Sequence, residues 1–417
     1  MTEIDLLIKS AGELLTLSTS FRDESDLGIL RNGAIAIKGG RILWVGKTEE
    51  LPGDFASTSK RREIDATGMV VMPGLIDSHT HLIFAGSREN EFEQRIQDHS
   101  YLEIAERGGG ILSTVEATRK ASFDELFSLG KRRLDRLLSM GVTTVEAKSG
   151  YGLSFQEEMK ILKVMRALQE SHPLDIVPTF LGAHTVPKEF RNRRTDYLHL
   201  ITEEMIPRIA QEGLAEFCDV FCEEKAFTFE ESKKILETGK QYGLKPKIHA
   251  DQLSPGRGAE LAAEMGAFSA DHLEYISPTG IERMAEKGVI AVLLPGASFS
   301  LGMEKLPPAR ELIQKGVSVS LATDLNPGSS MTESLPLMMT MGCTMFRMVP
   351  KEVIQATTLH AARSMGRENE IGSLEVGKQA DILLLDIPNY GYLPYHFGVN
   401  HTGYVIKRGK IVYQRPT

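Results

Sequence analysis

Hydrophobic residues follow two rhythms along this chain. Over residues 1–65 and 365–417 they come in short β-like runs separated by turn residues. Gly33-Ala34-Ile35-Ala36-Ile37 and Arg41-Ile42-Leu43-Trp44-Val45-Gly46 flank Lys38-Gly39-Gly40, a hairpin signal, and Tyr404–Tyr413 reads as another. Two β-rich ends around a long middle predict one small β-sandwich domain assembled from both. The middle, 66–364, alternates apolar strands with amphipathic helices such as Phe155–Gln169 and Thr202–Glu212. The strands expected are Val70–Asp77, Thr143–Ala147, Ile176–Leu181, Phe217–Phe221, Pro246–His249, Phe268–Asp271, Val289–Leu294 and Val317–Thr323. Eight β-α repeats predict an α/β fold of the (β/α)8 TIM-barrel type. Such barrels carry their chemistry at the C-terminal ends of the strands. Gly108-Gly109-Gly110 has no Gly-Lys-Ser/Thr after it, so it is not a phosphate loop; it reads as a lid or a linker.

Composition narrows the function classes. The chain has 417 residues, 41% hydrophobic, and a net charge of −8 from 48 basic and 56 acidic side chains. A mildly acidic chain without a basic tract is a poor nucleic-acid binder. No apolar run approaches the ~18 residues of a membrane span. The start, Met1-Thr2-Glu3-Ile4-Asp5, lacks the basic and apolar regions of a signal peptide. Three cysteines, with Cys218 and Cys222 on one face of a strand, read as structural thiols buried as an inward pair. A cytoplasmic protein is expected.

The chemistry concentrates at strand ends. Gly74-Leu75-Ile76-Asp77-Ser78-His79-Thr80-His81 closes the first strand, and histidines two apart there project to one face. His184, His249 and His272 close three further strands, and Asp324 closes the last. Five of 11 histidines thus stand where a barrel keeps its active site. Converging imidazoles suit Zn²⁺ or iron.

His79-Thr80-His81, His249, His272 and Asp324 in this order resemble the amidohydrolase superfamily, as does the closing segment Ile371–Asp381. Phe84–Arg88, Lys148–Leu153, Leu181–His184, His249–Gln252 and Ala322–Ser329 are similar to the members that open a small cyclic amide, 4-imidazolone-5-propanoate, to N-formimidoyl-L-glutamate. The resemblance covers essentially the whole chain. It implies one metal ion, Zn²⁺ or Fe²⁺/Fe³⁺, on His79, His81, His249 and Asp324. Asp324 is also the expected proton acceptor, and His272 the group that orients water or polarises the ring carbonyl. Arg88 is expected to bind the propanoate tail, with Tyr151, His184, Gln252, Asn326, Gly328 and Ser329 around the small-molecule substrate. A homodimer is implied as well. Lys148 ends the second strand, not the fourth, where two-metal members carry a bridging lysine, so a single metal and a structural Lys148 are expected. Deaminases of the superfamily have a glutamate where this chain has Gln252, and glutamine transfers no proton. Another cyclic-amide hydrolase or a deaminase is the alternative. A barrel without catalysis would be expected to have lost metal ligands.

Overall fold

The computed structural model describes residues 2–21, 25–53, 55–56, 62–97 and 109–416. Eight parallel strands lie in chain order around a barrel: β1 (Leu75–Thr80), β2 (Val142–Lys148), β3 (Asp175–Ala183), β4 (Phe217–Cys222), β5 (Lys245–Pro246 with Ile248–Ala250), β6 (Ser269–His272), β7 (Ile290–Leu293) and β8 (Val319–Leu321). The ring closes through a Thr80–Leu325 bridge, the Asp324 amide on the His79 carbonyl, and a bond between the Ser78 and Ser320 hydroxyls. Helices such as Phe123–Ser139, Phe155–Ser171 and Phe229–Gln241 cover the outside with Leu, Ile, Val and Met.

Both chain ends build the companion sheets. One has six strands in the order 410–414, 402–407, 382–385, 70–73, 13–15, 29–30, and the other has four, 41–47, 33–38, 6–11, 62–65. Their facing aliphatics, among them Leu6, Ile8, Ile35, Ile37, Val71, Ile382, Leu384 and Ile406, form a separate core. The expected hairpin turns at Gly39 and Gly40, with φ of 58° and 78°, a conformation that glycine adopts without a steric penalty.

The expected first strand, Val70–Asp77, is two strands. Val70–Pro73 pairs with Ile382–Leu385 in the sandwich, and only Leu75 onward joins the barrel, so the first sandwich segment runs past residue 65 to Pro73. The break is Gly74. Its amide donates to the Asp381 carbonyl, and a Cβ there would collide with Thr143. The expected helix Thr202–Glu212 is a wide π turn, Leu200–Met205, followed by Ile206–Gln211. Pro207 explains it, because a proline inside a helix crowds the preceding turn and offers no N–H. Gly108 lies outside the described residues. Gly110, which is described, starts the helix Ile111–Lys120 with φ of 81°.

Candidate active site

The strands bring the expected residues together at the C-terminal mouth. His79 lies in β1 and His81 just past it, their rings 5.4 Å apart. The His249 ring, from β5, is 4.6 Å from His79 and 5.6 Å from His81. One ring nitrogen of each lies within 4.8 Å of the others, and all three residues are buried. Asp324 Oδ1 stands 3.5 Å from Nε2 of both His79 and His81. His272 ends β6, with its ring 5.7 Å from His79 and 5.4 Å from His249. Strand alternation would send His272 to the opposite face from Asp271, but its φ of 81° turns the chain at this point. Asp324 also has a left-handed φ, 51°. Such conformations cost on the order of 1–3 kcal/mol and cluster at functional sites.

Beneath this mouth the barrel interior is ionic. Asp271 Oδ2 lies 2.6 Å from His79 Nδ1, and Asp219 Oδ1 lies 3.1 Å from His249 Nδ1. Lys148 ties both carboxylates together, with Nζ 2.7 Å from Asp219, 3.3 Å from Asp271 and 2.8 Å from Glu146. Lys247 takes the other Glu146 oxygen at 2.7 Å. Thr179 and Ser269 hydroxyls donate to Glu146 and Asp271. All five charged side chains are fully buried.

This arrangement sets the protonation of the histidines. A carboxylate accepts, so Nδ1 of His79 and of His249 carries the hydrogen and Nε2 keeps its lone pair. Burial, with the Lys148 charge added, holds His79 well below the usual histidine range; burial does the same for His81 and His272. Burial opposes the Asp219 charge, yet His249 and Lys148 hold its carboxyl far below the carboxylate range. Burial likewise opposes the Lys148 ammonium, and Asp219 and Glu146 more than offset it, raising its pKa. Nε2 of His79 and of His249 are buried and have no hydrogen-bond partner. Buried polar atoms are otherwise paired, so orphaned lone pairs beside a carboxylate fit a metal cation. His79, His81 and His249 form the cluster, with Asp324 at its edge.

The remaining expected residues surround this centre unevenly. Tyr151, buried, packs against His81 and His184 with centroids at 5.6 and 5.5 Å. His184 stacks on His81 at 5.0 Å, and burial lowers its pKa to about 3. Arg88 holds Glu91 through Nε and Nη2 at 2.9 and 2.7 Å, and its Nη1 lies against Gly328. Asn326 spends its side chain on the loop itself. It accepts from the amides of Gly328 and Ser329 and donates to the Asp324 carbonyl and Ser329 Oγ. Ser329 Oγ in turn donates to Asp324 Oδ2 at 3.2 Å. This loop therefore holds Asp324, where sequence reading expected these groups to face substrate. Gln252 is half-buried beyond β5 with no side-chain hydrogen bond to the described residues.

Several residues escaped sequence reasoning. Asp219, Asp271, Glu146 and Lys247 are the supports just described. Glu158 accepts from the amides of Gly150, Gly152 and Leu153 and so pins the Tyr151 loop. Glu274, two residues past His272, is buried with Oε2 unpartnered, and burial pushes its carboxyl up to about 8. The cysteine expectation is corrected. Cys218 and Cys222 face the outer helix Phe229–Gln241, Cys218 lying beside Gly239, and Asp219 takes the inner face.

The amidohydrolase family model matches residues 70–412. The imidazolonepropionase of Geobacillus sp. (strain WCH70) is 52% identical over 98% of this chain and 97% of its own. That of Alkaliphilus oremlandii is 49% identical over 99% of both. Among solved structures, 5-methylcytosine deaminase from Klebsiella pneumoniae superposes with a TM-score of 0.75 at 16% identity, over 99% of this chain and 98% of that one. An adenosine deaminase from Xanthomonas campestris with bound zinc gives 0.73 at 19%, over 98% and 93%. These two likenesses are of fold. By the family model and the full-length relatives together, this chain belongs to the amidohydrolase family, among its imidazolonepropionases.

Proposed function

We propose that the protein hydrolyses the ring amide of 4-imidazolone-5-propanoate, giving N-formimidoyl-L-glutamate. The observation that carries this is the convergence of His79, His81, His249 and Asp324 at the barrel mouth with the Arg88 guanidinium at its rim. The relatives' shared name supplies the substrate. A metal ion held by those four residues would supply an acidified water and polarise the carbonyl. Nitrogen and carboxylate donors suit Zn²⁺ and Fe²⁺ alike. With Lys148 committed to three carboxylates, one metal is the reading the site supports.

The chain's own groups then divide the work. Asp324, a carboxylate 3.5 Å from Nε2 of both His79 and His81, takes the proton of the attacking water; in the metal-free chain burial raises its carboxyl above the usual carboxylate range. Water's oxygen bonds to the ring carbonyl carbon, the carbon–nitrogen bond breaks, and the departing nitrogen receives that proton. Gln252 cannot carry it, so the return also falls to Asp324. Neutral His272 offers one N–H to the carbonyl oxygen as negative charge builds there. Tyr151 and His184 wall the ring. The same Gln252 argues against deamination. The three cysteines are all unpaired thiols, which supports a cytoplasmic setting.

The tail tests substrate choice. Arg88→Ala removes a charge-assisted bond of about 1.5–3 kcal/mol, equivalent to a KM rise of roughly 10- to 150-fold. Bound metal should be unchanged, and Arg88→Lys should recover only part because an ammonium lacks the planar fork. A spectrophotometric assay with fresh imidazolone propionate measures this. An unchanged KM in Arg88→Ala would place the carboxylate elsewhere.

A further inference from the structure

Arg88 presents two edges on which a carboxylate can dock, and one is already taken. Its Nε and Nη2 both donate to the same oxygen, Oε2 of Glu91. Glu91 is 7% exposed, and its Oε1 accepts the Gly110 amide at 2.9 Å. Glu91 thus joins the start of the helix Glu89–Ile96 to the start of the helix Ile111–Lys120. On its other side the guanidinium is confined by backbone. Nη1 sits where a Cβ on residue 328 would be, so Gly328 leaves room for it. Arg88 and Gly328 share the wall of a cavity of about 340 Å³.

We propose that Glu91 is a positioning residue for carboxylate recognition: it fixes the Nε–Nη2 edge of Arg88 so that the Nη1 side, over Gly328, receives the acid group of the ligand. This rests on the reading of Arg88 as the tail-binding residue. Held between Glu91 and Gly328, the guanidinium has little rotamer freedom left to lose on binding. Its orientation also discriminates. An anion reaching the Nη1 side gains a directional bond, whereas one arriving from the Glu91 side meets a carboxylate.

Glu91→Gln keeps the shape and removes the charge. Two quantities are measured: kcat and KM with imidazolone propionate, and the Kd of glutarate by calorimetry, which requires no turnover. KM and the glutarate Kd should both rise by roughly 5- to 20-fold, a part of the loss expected for removing the Arg88 bond itself, with kcat and bound metal nearly unchanged. Arg88→Ala/Glu91→Gln should bind glutarate no more weakly than Arg88→Ala alone, since Glu91 acts through Arg88. Gly328→Ala, pressing on Nη1 from the other side, should weaken glutarate as well. The proposal is overturned if Glu91→Gln binds glutarate like the native enzyme, if the double variant is additively weaker, or if kcat falls while KM stays. A native enzyme inert toward imidazolone propionate would instead remove the substrate reading and leave the glutarate test standing.

Discussion

Lys148→Met should destabilise the metal-free protein by about 3–5 kcal/mol, the cost of removing one partner from a buried ion pair. The size follows from what Lys148 holds. It is fully buried and bonds Glu146, Asp219 and Asp271, of which only Glu146 has a second cation, Lys247. Methionine fills similar space but leaves Asp219 and Asp271 without the ammonium that contacts them both. Those carboxylates also orient His249 and His79 through Nδ1, so the damage extends to the centre above. Metal affinity should fall by roughly 10- to 100-fold, as for lost support of a ligating histidine. Urea unfolding of the metal-free protein and a competition titration with a chromogenic chelator measure the two effects. A variant equal to the native protein in both would mean that the network neither stabilises the barrel nor aims the histidines.

Asp324→Asn should lower kcat by about 10²–10⁴-fold, the usual contribution of a positioned proton acceptor, while the fold survives. Asparagine matches the shape and retains one acceptor oxygen for the Ser329 hydroxyl. It cannot take up a proton at neutral pH. The loop that holds residue 324 is built from Asn326, Gly328 and Ser329 and does not depend on the carboxylate charge. Steady-state kinetics on metal-replete variant, beside its thermal melt, separates chemistry from folding. A kcat within a few-fold of native would assign the proton transfer to another group.

What the sequence revealed and what it concealed have physical causes. The eight strands could be read from their apolar runs because each is buried against an outer helix. The histidines at their ends could be read because a strand's two-residue period places such groups at a barrel mouth. The break at Gly74 could not, since Val70–Pro73 and β1 are equally apolar and differ only in their partners across space. The supporting carboxylates were concealed for a related reason. Asp271 gains its role from His79, 192 positions away, and Asp219 from His249, 30 away. A signal was nonetheless present. Glu146 and Lys148 in β2, Lys247 at the break between the two parts of β5, Asp219 in β4 and Asp271 in β6 are charges inside otherwise apolar stretches, and such charges are buried only when paired. Reading the Cys218–Cys222 face as inward hid Asp219, because alternation then sent it outward.

The most direct test of the account is to strip the metal with a chelator, titrate Zn²⁺ or Fe²⁺ back, and follow hydrolysis of imidazolone propionate. Activity should vanish on stripping and return linearly to a plateau at one metal ion per chain, with no return in a His79→Ala/His249→Ala variant. Full activity in the stripped enzyme, or a plateau at two metal ions per chain, would contradict it.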